Sequence, residues 1–140
     1  EVMCNPVPGR GMAYMGVFQD RDRAWLMGER SYRLRVPAGV PASLFWSTVC
    51  YDNRTRTLID TDQQAATVGS KTDGLRVNDD GSVDVLYGPE SPGADWETNW
   101  VKTIPGKGFF VYFRLYGVEQ PFFDTTWQLP VVAPIDFAAL

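Results

Sequence analysis

Apolar and polar side chains alternate along much of this chain in short runs, each closed by glycine, proline or an acidic turn. A period of two marks strands rather than helices. Residues 13–18 open the series, and the polar stretch QDRDR ends that first run. In residues 31–36, Tyr32, Leu34 and Val36 take one face, which leaves Arg33 and Arg35 on the opposite, solvated one. Residues 43–51, SLFWSTVCY, are dense in aromatic and β-branched side chains. There Leu44, Trp46, Thr48 and Cys50 oppose Phe45, Ser47, Val49 and Tyr51, which predicts a central strand covered on both sides. Residues 108–116, GFFVYFRLY, repeat the pattern, with Phe109, Val111, Phe113 and Leu115 opposing Phe110, Tyr112, Arg114 and Tyr116. Residues 75–77 and 83–87 flank the turn Asn78-Asp79-Asp80-Gly81 and predict a hairpin. Residues 25–27 are a short apolar patch, and weaker elements are expected at 57–59, 66–68 and 125–129, with one helical turn inside 119–126 that Pro121 keeps short.

Roughly eight or nine short strands without a sustained helical period predict an all-β fold of two packed antiparallel sheets, as in a sandwich or jelly roll. The 140 residues fit one domain. Residues 1–12 read as an extended leader, since Pro6, Pro8, Gly9 and Gly11 disfavour a regular element, and residues 13–140 as the single domain. An apolar fraction of 44% is enough for a real core without metal or disulfide.

Charge and missing residue types narrow the chemistry. Seventeen acids against 13 bases leave a net charge of −4, with no basic block to follow a phosphate backbone, so nucleic acid is not an expected partner. No apolar run approaches a membrane span and the first residues lack the regions of a signal peptide, so a soluble domain is expected. A chain opening at Glu1 reads as a processed product, an excerpt or a short member, which leaves its compartment open. There is no histidine, which removes Ser-His-Asp and Cys-His catalysis and the HExxH zinc site. Neither GxGxxG nor GxxxxGK[ST] occurs, and no cofactor or metal is expected. Cys4 could tie the leader to Cys50, although Cys50 alone suits a small core residue.

Carboxylates and aromatics remain. Asp79, Asp80 and Asp84 lack the full calcium-loop pattern and read as a solvated turn, while Asp95 and Glu97 are too close in sequence to fix a glycosidase geometry by themselves. A binding surface is easier to build, and the expected ligand-binding residues are Trp46, Tyr51, Asn53, Arg56, Asn99 and Trp100, at strand exits and beside the Gly88–Gly93 loop. Trp96, between Asp95 and Glu97, is the aromatic expected to be most exposed. Arg114 interrupts an aromatic strand, so burial would demand a carboxylate, with Asp52, Asp84 and Asp124 as candidates for a buried ion pair. The leading expectation is a noncatalytic module that binds a partner domain or a small polar ligand. A carboxylate- or metal-assisted hydrolase using Asp52, Asp60, Asp84 or Asp95, and a self-association domain, stand beside it.

Long phrases in a fixed order identify a resemblance. YRLRVP, FWSTVCYDNRTRTLI, NDDGSVDVLYGPESPG, NWVKTIPGKGFFVYFRLYG and FDTTWQLP are similar to the DUF1214 family, and together they cover nearly everything from about residue 13 onward. The resemblance implies a β-sandwich of jelly-roll type that packs beside a DUF1254 domain as the C-terminal part of longer proteins. Many of those proteins look exported to the periplasm or cell envelope. It carries over no catalytic residue, and it makes a DUF1254-like domain or another copy of the chain the expected partner.

Overall fold

A computed structural model of the protein describes residues 7–140; Cys4 and half of the expected leader lie outside them. In chain order the strands are β1 (Met12–Val17), β2 (Tyr32–Val36), β3 (Ala42–Asp52), β4 (Thr67–Gly69), β5 (Val83–Gly88), β6 (Trp100–Lys102), β7 (Phe109–Val118) and β8 (Ala133–Pro134). They form two four-stranded sheets, ordered β1-β7-β3-β4 and β6-β5-β2-β8. The fold is an all-β sandwich.

The two strands with the densest apolar patterns sit side by side at the centre of the first sheet. β3 and β7 pair antiparallel with Trp46 opposite Leu115, Thr48 opposite Phe113 and Cys50 opposite Val111. All six of these side chains are buried. The second sheet answers with Tyr32, Leu34 and Val36 from β2 and Val83, Val85 and Tyr87 from β5, paired antiparallel in register. Each large apolar side chain removed from water in this layer contributes about 1.5–3 kcal/mol. Rings interlock within and across it: Trp46 stacks on Phe113 of the same sheet at 5.4 Å, and Tyr32 of the second sheet meets Phe109 of the first edge-on at 5.8 Å. Cys50 is wholly buried here, and burial together with the nearby Asp52 charge pushes its thiol pKa up.

Three local expectations need correction. The turn at 78–81 forms, with the Asn78 N–H donating to the Ser82 carbonyl at 2.8 Å, but residues 75–77 do not pair with β5 as a strand. The Asn99 side chain takes that place, as described below. Residues 125–129 form no strand; Trp127 stacks on Phe113 at 5.9 Å, and the last strand is β8. The β5–β6 pair is parallel, with Leu86 opposite Trp100. A parallel neighbour requires a crossover of about a dozen residues, and the segment from Gly88 to Trp100 supplies it, turning at Gly93 (φ 109°) into a 3₁₀ turn over Ala94–Asn99. The short helix expected near Pro121 is Gln120–Phe123.

Candidate functional site

The side of the first sheet facing away from the core is also aromatic. The same alternation that buries Trp46 and Phe113 puts Phe45, Ser47, Val49 and Tyr51 of β3 and Phe110, Tyr112, Arg114 and Tyr116 of β7 on the outer face, joined by Tyr14 and Gly16 of β1. Phe110 and Val49 are buried among their neighbours, whereas Tyr14, Phe45, Tyr51, Tyr112, Arg114 and Tyr116 stay half-exposed. The rings form a continuous surface. Phe45 stacks on Tyr116 at 4.1 Å, Tyr51 on Phe110 at 5.3 Å, and Phe18 on the other side of Phe110 at 5.1 Å. Gly16 makes room for this, since a Cβ there would lie 2.6 Å from the Phe18 ring.

Cations lie on these rings. The Arg56 guanidinium sits 5.4 Å from the Phe110 centroid, the Lys71 ammonium 4.6 Å from that of Phe45, and the Arg114 guanidinium 5.3 Å from that of Tyr14. Arg114 also donates from Nη2 to the Tyr51 hydroxyl, while its Nε is buried without an acceptor. A groove of about 630 Å³ runs along this face between β3 and the 58–67 segment, lined among others by Phe45, Ser47, Tyr51, Leu58 and Arg114. Its far wall is anchored: Ile59 is buried, and the Gln63 amide accepts from the Lys102 N–H at 2.7 Å and donates to the Trp100 carbonyl at 3.3 Å. Around the sheet edge lies a second concavity of about 760 Å³, where Asn53 and Arg56 meet Phe18, Trp25 and Met27.

The expected ligand-binding residues therefore do not form one surface. Tyr51 lines the groove, and Asn53 and Arg56 line the second concavity. Trp46 is 7% exposed and Trp100 8%, the latter with its indole N–H donating to the Gly88 carbonyl at 3.0 Å. Asn99 is wholly buried: its Oδ1 accepts from the Arg76 N–H, and its Nδ2 donates to the carbonyls of Arg76 and Asp84, each at 2.9 Å. Trp96 is half-buried beneath the Arg76 guanidinium at 4.0 Å; the exposed tryptophan is Trp25, at 59%. Nothing in the short 25–27 run distinguishes that ring from a core residue. Phe45 and Lys71 also went unrecognised as surface partners, because whether a strand's second face is covered depends on what packs there.

The ion-pair expectation is likewise corrected. Among the described residues no carboxylate pairs with Arg114. Asp84 instead faces Arg35 directly across β2–β5, bonded through both oxygens at 2.8 and 3.1 Å. Burial pushes the Asp84 pKa up, but the hydrogen bonds from Arg35 and Asn78 and the arginine's charge outweigh it, so the net shift is downward. Asp52 accepts the Arg54 and Thr55 N–H groups at 2.8 and 3.1 Å, with Lys107 at 3.8 Å, and its pKa is lowered chiefly by the Thr55 bond. Asp124 accepts from the Gln120 amide on the surface. Asp80 caps its own turn through Ser82. Among the described residues no three acids or cysteines gather where they could hold a metal ion.

Comparisons with known proteins agree with the fold. The family model described as "Protein of unknown function (DUF1214)" matches residues 11–120. The crystal structure of the VPA0106 protein from Vibrio parahaemolyticus is similar with a TM-score of 0.77 and 23% identity, over 89% of this chain and 31% of that one. A putative uncharacterized protein from Burkholderia cenocepacia is similar with a TM-score of 0.61 and 20% identity, over 92% of this chain and 30% of that one. This chain thus spans about a third of the length of either solved protein. No curated protein matches it.

Proposed function

The chain belongs to the DUF1214 family, and from that premise we propose that it is a noncatalytic β-sandwich module, of jelly-roll type, that docks a partner domain through the outer aromatic face of its β1-β7-β3 sheet. The observation carrying this reading is the row of half-exposed rings, Tyr14, Phe45, Tyr51, Tyr112 and Tyr116, on a sheet whose other face already forms the core. A large contiguous aromatic surface is a feature of interaction sites. Coverage of only 31% and 30% of the similar solved chains supports a module that works beside further structure. The partner we infer is a DUF1254-like domain, with the periplasm or cell envelope as the compartment. A small polar ligand would use the concavity at Asn53, Arg56 and Trp25, where an indole face and directional donors meet. Hydrolysis has less support, since Asp84 is already neutralised by Arg35 and Asp52 is occupied by its own turn.

The test is calorimetric titration of the protein with a separately produced DUF1254-like domain from a longer member of the family. Tyr51→Ser and Tyr116→Ser should each weaken binding at least about tenfold, the cost of truncating a central aromatic anchor. Unchanged affinity in both variants would move the interface to another face. A molecular mass that rises with concentration in sedimentation, and falls back in the same variants, would assign the face to a second copy instead.

A further inference from the structure

Resting on that docking reading, the structure also suggests the chemistry of what is docked. We propose that Arg114 is a carboxylate seat, and that the partner places an aspartate or glutamate side chain in the groove between β3 and the 58–67 segment. Arg114 and Tyr51 both line that groove, and the Tyr51 hydroxyl already receives one guanidinium nitrogen. Among the described residues no carboxylate lies within 4.0 Å of the guanidinium. Asp60 borders the same groove on an exposed segment without pairing with it. This half-buried guanidinium is under-satisfied by its own chain: Nε is buried without an acceptor and Nη2 gives one proton to Tyr51, so the Nη1/Nη2 edge is the planar fork left to a carboxylate.

Apart from Asp60, the charged side chains around Arg114 on this face carry the same sign. Arg56 and Lys71 flank Arg114 along the face, each over an aromatic ring and neither in an ion pair among the described residues. In a chain of net charge −4 this outer face therefore concentrates cations against apolar rings. Charge complementarity then selects an acidic, partly apolar segment, because a basic one would meet like charges in a desolvating contact. The Tyr14 and Tyr51 rings lie 5.3 and 6.0 Å from the guanidinium, an apolar flank that lowers the local polarity and strengthens a bond made to it.

Sodium benzoate, a carboxylate on an apolar ring, can stand in for such a side chain. The full chain, labelled with ¹⁵N, would be titrated with benzoate and with benzamide at equal ionic strength while the arginine Nε–H resonances are followed by NMR. The expected result is a saturable shift of the Arg114 resonance with benzoate, at an affinity about tenfold better than that of neutral benzamide. Arg114→Met should abolish the preference, bringing benzoate down to the affinity of benzamide as read from backbone amide shifts, and Arg114→Lys should retain part of it, since the charge survives without the fork. Equal binding of the two probes would overturn the carboxylate seat while leaving an apolar docking face standing. Absence of any perturbation by either probe would overturn the seat as well, and the docking reading would still be decided by Tyr51→Ser and Tyr116→Ser. Saturation at about micromolar rather than millimolar benzoate would overturn the assignment to a partner side chain in favour of a free acid.

Discussion

Asn99 lies wholly buried at the end of the 3₁₀ turn, where its amide bonds the backbone of Arg76 on one side and the Asp84 carbonyl on the other. It replaces with a side chain the ladder that residues 75–77 would otherwise form with β5. Truncation therefore removes four hydrogen bonds, the fourth accepted by Oδ1 from the Thr98 hydroxyl, from a buried site rather than one contact from a surface. Asn99→Ala should cost about 2–4 kcal/mol in a urea unfolding measurement. Asn99→Asp should also destabilise, because a carboxylate can still accept from the Arg76 N–H but has nothing to donate to two carbonyls. A loss under about 1 kcal/mol would mean that water or a relaxed backbone takes over these bonds. The residue could be picked out from its sequence as polar and directional, but not as buried: its loop position suggested presentation to a ligand.

β3 and β7 carry apolar residues on both faces, and the two faces differ in consequence although they look alike in sequence. On the inner side Phe113 is wholly buried between Trp46 and Trp127; on the outer side Tyr116 is half-exposed against Phe45. Phe113→Ala should thus cost about 3–5 kcal/mol by leaving a cavity in the core. Tyr116→Ser should cost about 1 kcal/mol, the worth of one stacked surface pair, and act mainly on docking. Equal losses for the two in denaturant titrations would show that the outer face is a second core. Along most of β3 and β7 parity was legible in the alternation, as was the placing of Trp46 with Thr48 and Cys50 on one side; Leu44, expected on that side too, is 69% exposed, where the β3–β7 register shifts between Ala42 and Phe45. Which parity turned inward at the aromatic-on-both-sides strands was not legible, because hydrophobicity there carries no contrast.

Across the molecule the aspartates whose pKa moves shift in one direction. Asp52, Asp62, Asp80 and Asp84 all have lowered pKa values in the folded protein, from the Thr55 N–H, the Lys102 ammonium, the Ser82 donors and, at Asp84, the bonds from Arg35 and Asn78 that overcome burial. A carboxylate whose folded pKa lies below its unfolded value of about 3.9 contributes stability that is complete above that value and is lost as pH falls through the folded one. The urea midpoint should accordingly fall below about pH 4. It should stay nearly flat between about pH 5 and 8, where the side chain that usually titrates, histidine, is missing from the chain. Arg35→Met should shrink the acid-side slope; an unchanged slope would show that Asp84 takes no part in it.

The sequence by itself determined the strand-rich character of this protein, the faces of its individual strands and the absence of imidazole chemistry, because these follow from local periodicity and composition. Tertiary structure decided which partners those strands met. Asp84 found Arg35 through the β2–β5 register, leaving Arg114 to Tyr51; Trp100 joined β5 in parallel; and the second aromatic face of β3 and β7 was left open by where the chain's other segments went. Register and coverage are long-range properties, set by the summed packing of elements far apart in the chain, and no window of residues contains them.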